Sequence, residues 1–519
     1  MLPSVIRRFF DRNILKELKM EYDAIWFGGG AAGRFGAAYH KALGGKPLIV
    51  EEHHLGGECH VCRCAFENFF SDQASMAELM RLYSGKSWYP KIDLSNISAA
   101  KAAELYRNVG QKAFADTMKH QTEKQLGIEV AWGKGKIIDK NTVEVEGKIY
   151  RGKNLVIGTG SRPTMPDIPG INLPGVMTYK DHPEMKTDPK KMVIIGGGKI
   201  GIGKAAMFAP FNIEVTVLEK YTCLPKWDRD IRNFIFRDFK RRGIKIYEGI
   251  DVKEIKGKGK VQSVVAQFNG ETMEFPCDAV MVSVGLTPNS EPAIPLGVKI
   301  GKGNEVIIDE GCRTNVPGIY AVGDAAGAPY FMAIARKRGM IAAKNIAGED
   351  AKMDYSFVPD HIYLPPLEAT CVGLTESEAR EKYGDVVLIQ VPWGPKPEDP
   401  KPEEYYPGFE NQGLPVCGRM HTLNLLFYGQ NRNGLVKAIV DPKSRKYVGF
   451  HSVGDGAKTA FQYLSYLLKI GWTVDQMANL HEIFLNAEHF IQLSRLVAGQ
   501  KELKGFAAQV YLDEEYVCR

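Results

Sequence analysis

Long apolar runs are missing from this chain of 519 residues. None reaches the roughly 20 residues that a helix needs to span a bilayer, so no membrane span is expected. Cysteine is sparse as well. Nine thiols, scattered apart from one cluster, cannot build the dense disulfide framework of a small secreted protein, and a reducing, cytoplasmic compartment is the expectation. No basic run is interleaved with aromatics, and a formal charge of +6 is small for the length. That balance leaves room for an anionic small molecule and gives no sign of nucleic-acid binding. The opening stretch MLPSVIRRFFDRNILKELKM (1–20) is basic and amphipathic. It lacks the apolar core and small-residue cleavage site of a secretory leader, so a simple N-terminal helix is expected there.

Glycine, by contrast, is placed with a pattern. The strand-like DAIWFGG opens GGGAAGRFG, where Gly28, Gly30 and Gly33 form GxGxxG, and the next strand, KPLIVE, ends at Glu51. KMVIIGGGKIGIG repeats the arrangement with Gly196, Gly198 and Gly201, and EVTVLEK ends in Glu219. In such a unit the glycines admit a pyrophosphate to a helix N-terminus, and the acid about twenty residues on bonds a ribose hydroxyl. One GxGxxG alone is a weak signal; two complete strand–turn–helix–strand–acid units imply two dinucleotides. Glu219 favours an unphosphorylated ribose and hence NADH, while the adjoining Lys220 keeps NADPH open. In RTNVPGIYAVGDAAG, Asp324 follows a short apolar strand and precedes a helix, a position suited to the ribityl hydroxyls of a flavin.

Between these units, residues 70–130 read as helices, and WGKGKIIDKNTVEVEGKIYRGKNLVIGTGSRP alternates as a β-meander that returns to a buried strand. After residue 360, YGDVVLIQVPW, LNLLFYG and GLVKAIVD read as strands, the Pro-rich GPKPEDPKPEEYYPG as a loop, and AKTAFQYLSYLLKIG and AEHFIQLSRLVAG as helices. The predicted fold is α/β, with two Rossmann-like dinucleotide-binding domains plus a C-terminal α+β domain. The expected order is an N-terminal extension (1–20), a flavin domain (21–170), a pyridine-nucleotide domain (171–295), a return to the flavin domain (296–360), and the C-terminal domain (361–519).

Cys59 and Cys64 stand in LGGECHVCRC, about thirty residues after the first glycine turn. Two thiols beside a redox cofactor store two electrons as a dithiol and pass them on by exchange, one sulfur attacking and one resolving. Cys62 adds a third sulfur. A zinc or iron–sulfur site needs four ligands, the cluster offers three with His60 as the only local fourth, and no second CxxC exists, so no metal is expected. Cys518 is a lone tail thiol.

Taken together, GGGAAG, LGGEC-x4-C, GTGSRP, GGGKIG and AVGD resemble the FAD-dependent pyridine nucleotide–disulfide oxidoreductases over nearly all of the chain after residue 20. The resemblance implies FAD, NADH or NADPH, a redox-active Cys59–Cys64 disulfide and a homodimer whose C-terminal domain completes the partner's site. In that family a histidine base and a glutamate five residues on serve the attacking thiol. Here IFLNAEHFIQLSRL puts Phe484 at the base position and His489 at the glutamate position. That exchange resembles the 2-ketopropyl coenzyme M oxidoreductase/carboxylases, an atypical branch.

By the same resemblance, Arg34 in GRFG and Arg336 in FMAIARKRG hold the sulfonate of a small thioether or disulfide, and Met118 and Met332 line its pocket. Cys59 attacks the thioether sulfur and an enolate leaves to meet carbon dioxide. His489 then steadies the enolate and Phe484 keeps protons away. This chain departs from the branch at Val61 and Ala115, where the carboxylases carry histidines for the carboxylating species; His60 lies one residue from the expected place. It departs from the wider family at Asn68 and Gly203, which replace a Lys–Glu pair, and at Lys199, which replaces an aromatic gate. A thiol/disulfide or mercuric-type reductase without carboxylation, or a thiol-based metal or redox-sensing binder, are the alternative readings.

Overall fold

The computed structural model describes residues 21–85, 90–391, 434–454, 457–481 and 488–505. The N-terminal extension, LNLLFYG, the Pro-rich loop, Phe484 and Cys518 lie outside them. One compact unit gathers residues 1–67, 104–164 and 285–354. Its sheet is built on Tyr22–Phe27, which pairs in parallel with Pro47–Glu51 on one side and Lys148–Ile157 on the other. Glu129–Trp132 extends the first edge, and Ile319–Ala321 pairs with Lys148–Ile157. A central parallel strand buried on both faces needs a continuous apolar run, which YDAIWF supplies. Ile25, Phe27, Leu48, Val50, Leu155 and Ile157 form the core on one face. The meander after Glu129–Trp132 is antiparallel, as the alternation of NTVEVEGKIY predicts.

Two helices of this unit, Ala31–Ala42 and Met332–Ile346, cross where neither carries a side chain. A Cβ at Gly36 would stand 2.2 Å from the Trp26 ring and 2.9 Å from the Gly339 carbonyl; one at Gly339 would stand 2.4 Å from the Ala32 carbonyl. Glycine at both positions lets the backbones touch.

The second unit comprises residues 68–103, 165–284 and 355–519. Its parallel sheet runs Lys245–Glu248, Glu214–Glu219, Lys191–Ile195, Ala279–Val282, Val176–Met177. A three-stranded antiparallel sheet over Asp251–Lys256, Ser263–Phe268 and Glu271–Pro276 is an addition that the sequence reading does not anticipate. The later part is an antiparallel sheet in the order Asp360–Leu364, Leu367–Gly373, Tyr447–Gly454, Gly434–Val440, Val387–Val391. The helices Ala457–Lys469 and Glu488–Ala498 fall where their apolar periodicity places them.

Inside this unit Lys437, only 1% exposed, meets three carboxylates: Asp228 at 3.0 Å, Asp230 at 2.7 Å and Glu376 at 2.6 Å. Burial opposes charge on Asp228 and Glu376, yet Lys437 outweighs it and holds both carboxyls below their ordinary values. At Asp230 burial wins and the carboxyl is pushed up. Among the described residues no helix is long and apolar enough to cross a membrane.

Candidate active site

The two glycine turns have the same construction. Gly28 takes φ 112°, and a Cβ there would lie 2.3 Å from the Gly158 carbonyl; one at Gly33 would lie 1.9 Å from the Gly28 carbonyl. At Gly30 the nearest atom to such a Cβ is 4.0 Å away, and the helix that follows has no side-chain cap. In the second unit, Gly196 takes φ 109°, and a Cβ at Gly201 would lie 1.9 Å from the Gly196 carbonyl. Nothing lies within 4 Å of a Cβ at Gly198, and the helix Lys199–Phe208 is again uncapped. Uncapped first-turn N–H groups above an open glycine are what a pyrophosphate requires, so both turns fit the dinucleotides inferred from sequence.

The acids do more than the sequence suggests. Glu51 Oε2 accepts from Gly29 N at 2.8 Å, and Oε1 accepts from the backbone of His53 and His54. Glu219 repeats this with Gly197 N at 2.6 Å and Tyr221 N at 2.8 Å. Each carboxylate therefore pins its own glycine turn, and its Oε2 keeps one lone pair for a ribose hydroxyl. Lys220 is turned to Asp251 at 3.1 Å. Asp324, in the short turn Gly323–Ala326 after the Ile319–Ala321 strand, accepts through Oδ2 from Arg63 Nη1 at 2.9 Å and from Ser161 Oγ at 2.8 Å.

The dithiol turn rises from Gly56 and Gly57, both at positive φ, into the four-residue helix Glu58–Val61. Cys64 then opens the helix Cys64–Tyr83. Both thiols are free and half-buried, with Sγ atoms 2.8 Å apart. The Cys59 hydrogen bond, helped by Arg63, holds the Cys64 thiol below its ordinary value against burial. Cys59 is pushed well up, first by its bond to Cys64 and then by burial. Ionisation is therefore favoured at Cys64 over Cys59. Cys62 is buried, and among the described residues no group of three His, Cys, Asp or Glu is placed to hold a metal ion.

Beside this turn the glycine crossing brings Arg34 and Arg336 within electrostatic reach. Arg34 Nε donates to Thr122 Oγ1 at 2.9 Å and Nη2 to Gln121 Oε1 at 3.0 Å, both neutral partners. Burial, then the charge of Arg336, depresses its guanidinium. Arg336 stands one turn after Met332, is exposed, and has no hydrogen bond or ion pair among the described residues. His60, next to Cys59, is lowered from its ordinary 6.5 by burial and then by Arg336 and Arg34, with the Leu55 carbonyl pulling the other way. Its ring stacks on Phe114, centroids 5.4 Å apart, and its carbonyl accepts from Tyr106 Oη at 2.5 Å.

Tyr106, Phe114, Gln121 and Thr122 are absent from the sequence reading. They are positioned by two π-helical segments, Tyr106–Gln111 and His120–Gln125, on either side of the helix Lys112–Lys119. The wide turn shifts the helical register, and Gly110, where a Cβ would meet the Tyr106 ring at 2.7 Å, is its one trace in the sequence. Met118 enters through its carbonyl, which accepts from Thr122 Oγ1 at 2.7 Å.

In the second unit, Asn68 Oδ1 accepts from Lys458 Nζ at 3.1 Å, Lys458 pairs with Glu368 at 3.0 Å, and Lys199 pairs with Asp360 at 3.0 Å. An ammonium therefore does reach Asn68, from Lys458. His489 sits in the first turn of Glu488–Ala498, its side chain outside the described residues.

Comparison with known proteins agrees with this construction. The family model described as pyridine nucleotide-disulphide oxidoreductase matches residues 22–342, and that of the family's dimerisation domain matches 358–485. A mercuric reductase of Staphylococcus aureus is 26% identical over 483 residues, covering 92% of this chain and 82% of its own. A glutathione reductase of Burkholderia cepacia is 27% identical over 485 residues, 92% of this chain and 99% of its own. A dihydrolipoyl dehydrogenase of Rhizobium etli is 28% identical over 490 residues, 89% and 94%. Among solved structures, the HOCl-induced flavoprotein disulfide reductase RclA of Escherichia coli superposes with a TM-score of 0.74 at 22% identity. It covers 92% of this chain and 100% of its own, a likeness of fold. With twin glycine turns, a dithiol turn after the first, and the family models matching in chain order, the protein belongs to the pyridine nucleotide-disulphide oxidoreductases.

Proposed function

We propose that Cys59 of the reduced pair attacks a sulfur of a small anionic thioether or disulfide, a coenzyme M conjugate such as 2-ketopropyl coenzyme M being the substrate to test first. FAD and NAD(P)H, the cofactors of this family, supply the two electrons when bound. The carrying observation is the pair Arg34 and Arg336: two guanidiniums within electrostatic reach of each other and of His60, with no carboxylate partner among the described residues. Such a pair suits a sulfonate, whose three oxygens accept from planar forks.

With a thioether, Cys59 passes its proton to Cys64 across their 2.8 Å contact and attacks as the thiolate: its Sγ bonds the coenzyme sulfur as the carbon–sulfur bond breaks, and the carbon leaves with the bonding pair as an enolate. Cys64 Sγ then bonds Cys59 Sγ, its proton leaves with the displaced coenzyme thiol, and the disulfide is restored. Capture of the enolate by carbon dioxide gives acetoacetate, and protonation gives acetone. Phe484 in place of a proton-bearing residue supports carboxylation, and His489 serves the enolate oxygen; both act across a homodimer, which the match to a dimerisation domain supports. Glu219 supports NADH as the donor, with NADPH admitted only if Lys220 leaves Asp251.

A second reading, reduction of an ordinary disulfide or of mercuric ion, is supported by relatives of those names aligned over about nine-tenths of the chain. Product analysis with 2-ketopropyl coenzyme M, NAD(P)H and labelled bicarbonate separates the cases. Labelled acetoacetate establishes the full reaction, and acetone alone establishes cleavage without carboxylation. No turnover, with rapid reduction of glutathione disulfide or mercuric ion, overturns the thioether reading. Metal bound stoichiometrically to the purified protein would count for a thiol-based binder instead.

A further inference from the structure

We infer that Arg63 is a positioning residue of the redox step: it holds the negative charge that reduction places on the dithiol pair, and it ties the dithiol turn to the loop at Asp324. It lies between Cys62 and Cys64, and its Nη1 is 2.9 Å from Asp324 Oδ2, a contact joining segments 261 residues apart. The same oxygen accepts from Ser161 Oγ at 2.8 Å, and Glu58 stands 3.9 Å from Nη1. The side chains of Arg63 and Asp324 are 20% and 13% exposed, so the pair is screened far less than a surface ion pair.

Reduction of the disulfide by two electrons from the bound cofactors, with uptake of one proton, leaves one thiol and one thiolate across the 2.8 Å contact of Cys59 and Cys64. That places one new negative charge on the turn. Arg63, Glu67, Asp324 and Tyr106 are among the groups that act on the pair. Of these Arg63 alone is cationic, and it favours the ionised form of both thiols, whereas Glu67 opposes it at Cys64 and Asp324 at Cys59. Without Arg63 the opposition of Glu67 and Asp324 is no longer offset by its charge. Cys64 then holds its proton to higher pH, and the reduced pair loses stability relative to the disulfide. The role is independent of the substrate, so it stands or falls apart from the thioether reading.

The test uses the flavin-loaded enzyme with Arg63→Met and Arg63→Lys. The dithiol–disulfide equilibrium is measured against a glutathione redox buffer across pH, and Cys64 ionisation is followed by the pH dependence of alkylation read by mass spectrometry. Arg63→Met is expected to shift the equilibrium about tenfold toward the disulfide, about 30 mV for a two-electron couple. It also moves the alkylation profile to higher pH. Arg63→Lys, which keeps the charge but not the fork, stays within about threefold of wild type and keeps the profile. An unchanged equilibrium and profile in a flavin-loaded Arg63→Met would overturn the assignment. If that variant does not fold, Arg63→Lys decides: retention of potential and profile supports it, and a tenfold shift overturns it.

Discussion

Arg336 is the cleanest handle on the proposed anion pocket. It is exposed and without a described partner, so Arg336→Met removes a charge without orphaning a buried group, whereas loss of Arg34 would strand Thr122 and Gln121. In the free enzyme the change relieves repulsion with Arg34, so thermal stability should hold or rise by about 0.2–1 kcal/mol, the scale of exposed charge pairs. With an anionic substrate it removes a charge-assisted hydrogen bond worth about 1.5–3 kcal/mol, or roughly 10- to 150-fold in KM, with kcat little changed because the anion lies away from the reacting sulfur. The assay compares coenzyme M disulfide with 2-hydroxyethyl disulfide, which share a reacting bond and differ in the sulfonate. The penalty should fall on the first alone and shrink as salt is added, since the Debye length is only about 8 Å at physiological ionic strength. A KM change below about threefold for the anionic disulfide, or equal losses with both, would refute the pocket.

His60 should titrate below 6.5 in the free enzyme and move back toward it in Arg336→Met, read by NMR of its ring protons. Because its folded value is depressed, the neutral ring favours folding above 6.5 and that contribution is lost as pH falls below it, so the variant should lose less stability on acidification. Gly339→Ala forces a Cβ to 2.4 Å from the Ala32 carbonyl; it should lower stability by about 1–3 kcal/mol, and the anionic KM should rise as the helices part. Lys437→Met leaves buried carboxylates without their cation, a loss of about 3–5 kcal/mol, read as roughly 150- to 5,000-fold faster hydrogen exchange in Gly434–Val440 at neutral pH. The defect should ease toward pH 5 as the carboxylates take up protons, and exchange within threefold of wild type would contradict it.

Much of the fold is readable from pattern because the relevant signals are local. Apolar runs bounded by glycine mark the buried parallel strands, and GxGxxG marks each turn through backbone contacts that only glycine tolerates. The dithiol pair is readable for the same reason, two thiols at fixed spacing. The wall of the proposed anion pocket is another matter. Thr122 and Gln121 reach Arg34 because π-helical turns rotate them there, and no periodicity in KAFADTMKHQTEKQ announces that rotation. Arg63 reads as an ordinary charged loop residue until Asp324 arrives from 261 positions away. Asn68 shows the converse: position by position it looks like the loss of an ammonium, yet Lys458 delivers one from a distant helix.

The carboxylate of Glu219 also bears on how this enzyme can change. It accepts from Gly197 and Tyr221, so the group expected to discriminate between the two pyridine nucleotides is also the clasp of the turn proposed to receive them. A mutation at 219 that welcomed a 2′-phosphate would loosen the turn in the same stroke. Evolution, or an engineer, gains NADPH more readily by freeing Lys220 from Asp251 than by replacing the acid, and donor preference in this lineage is therefore expected to drift through the neighbours of Glu219 while the glutamate itself stays put.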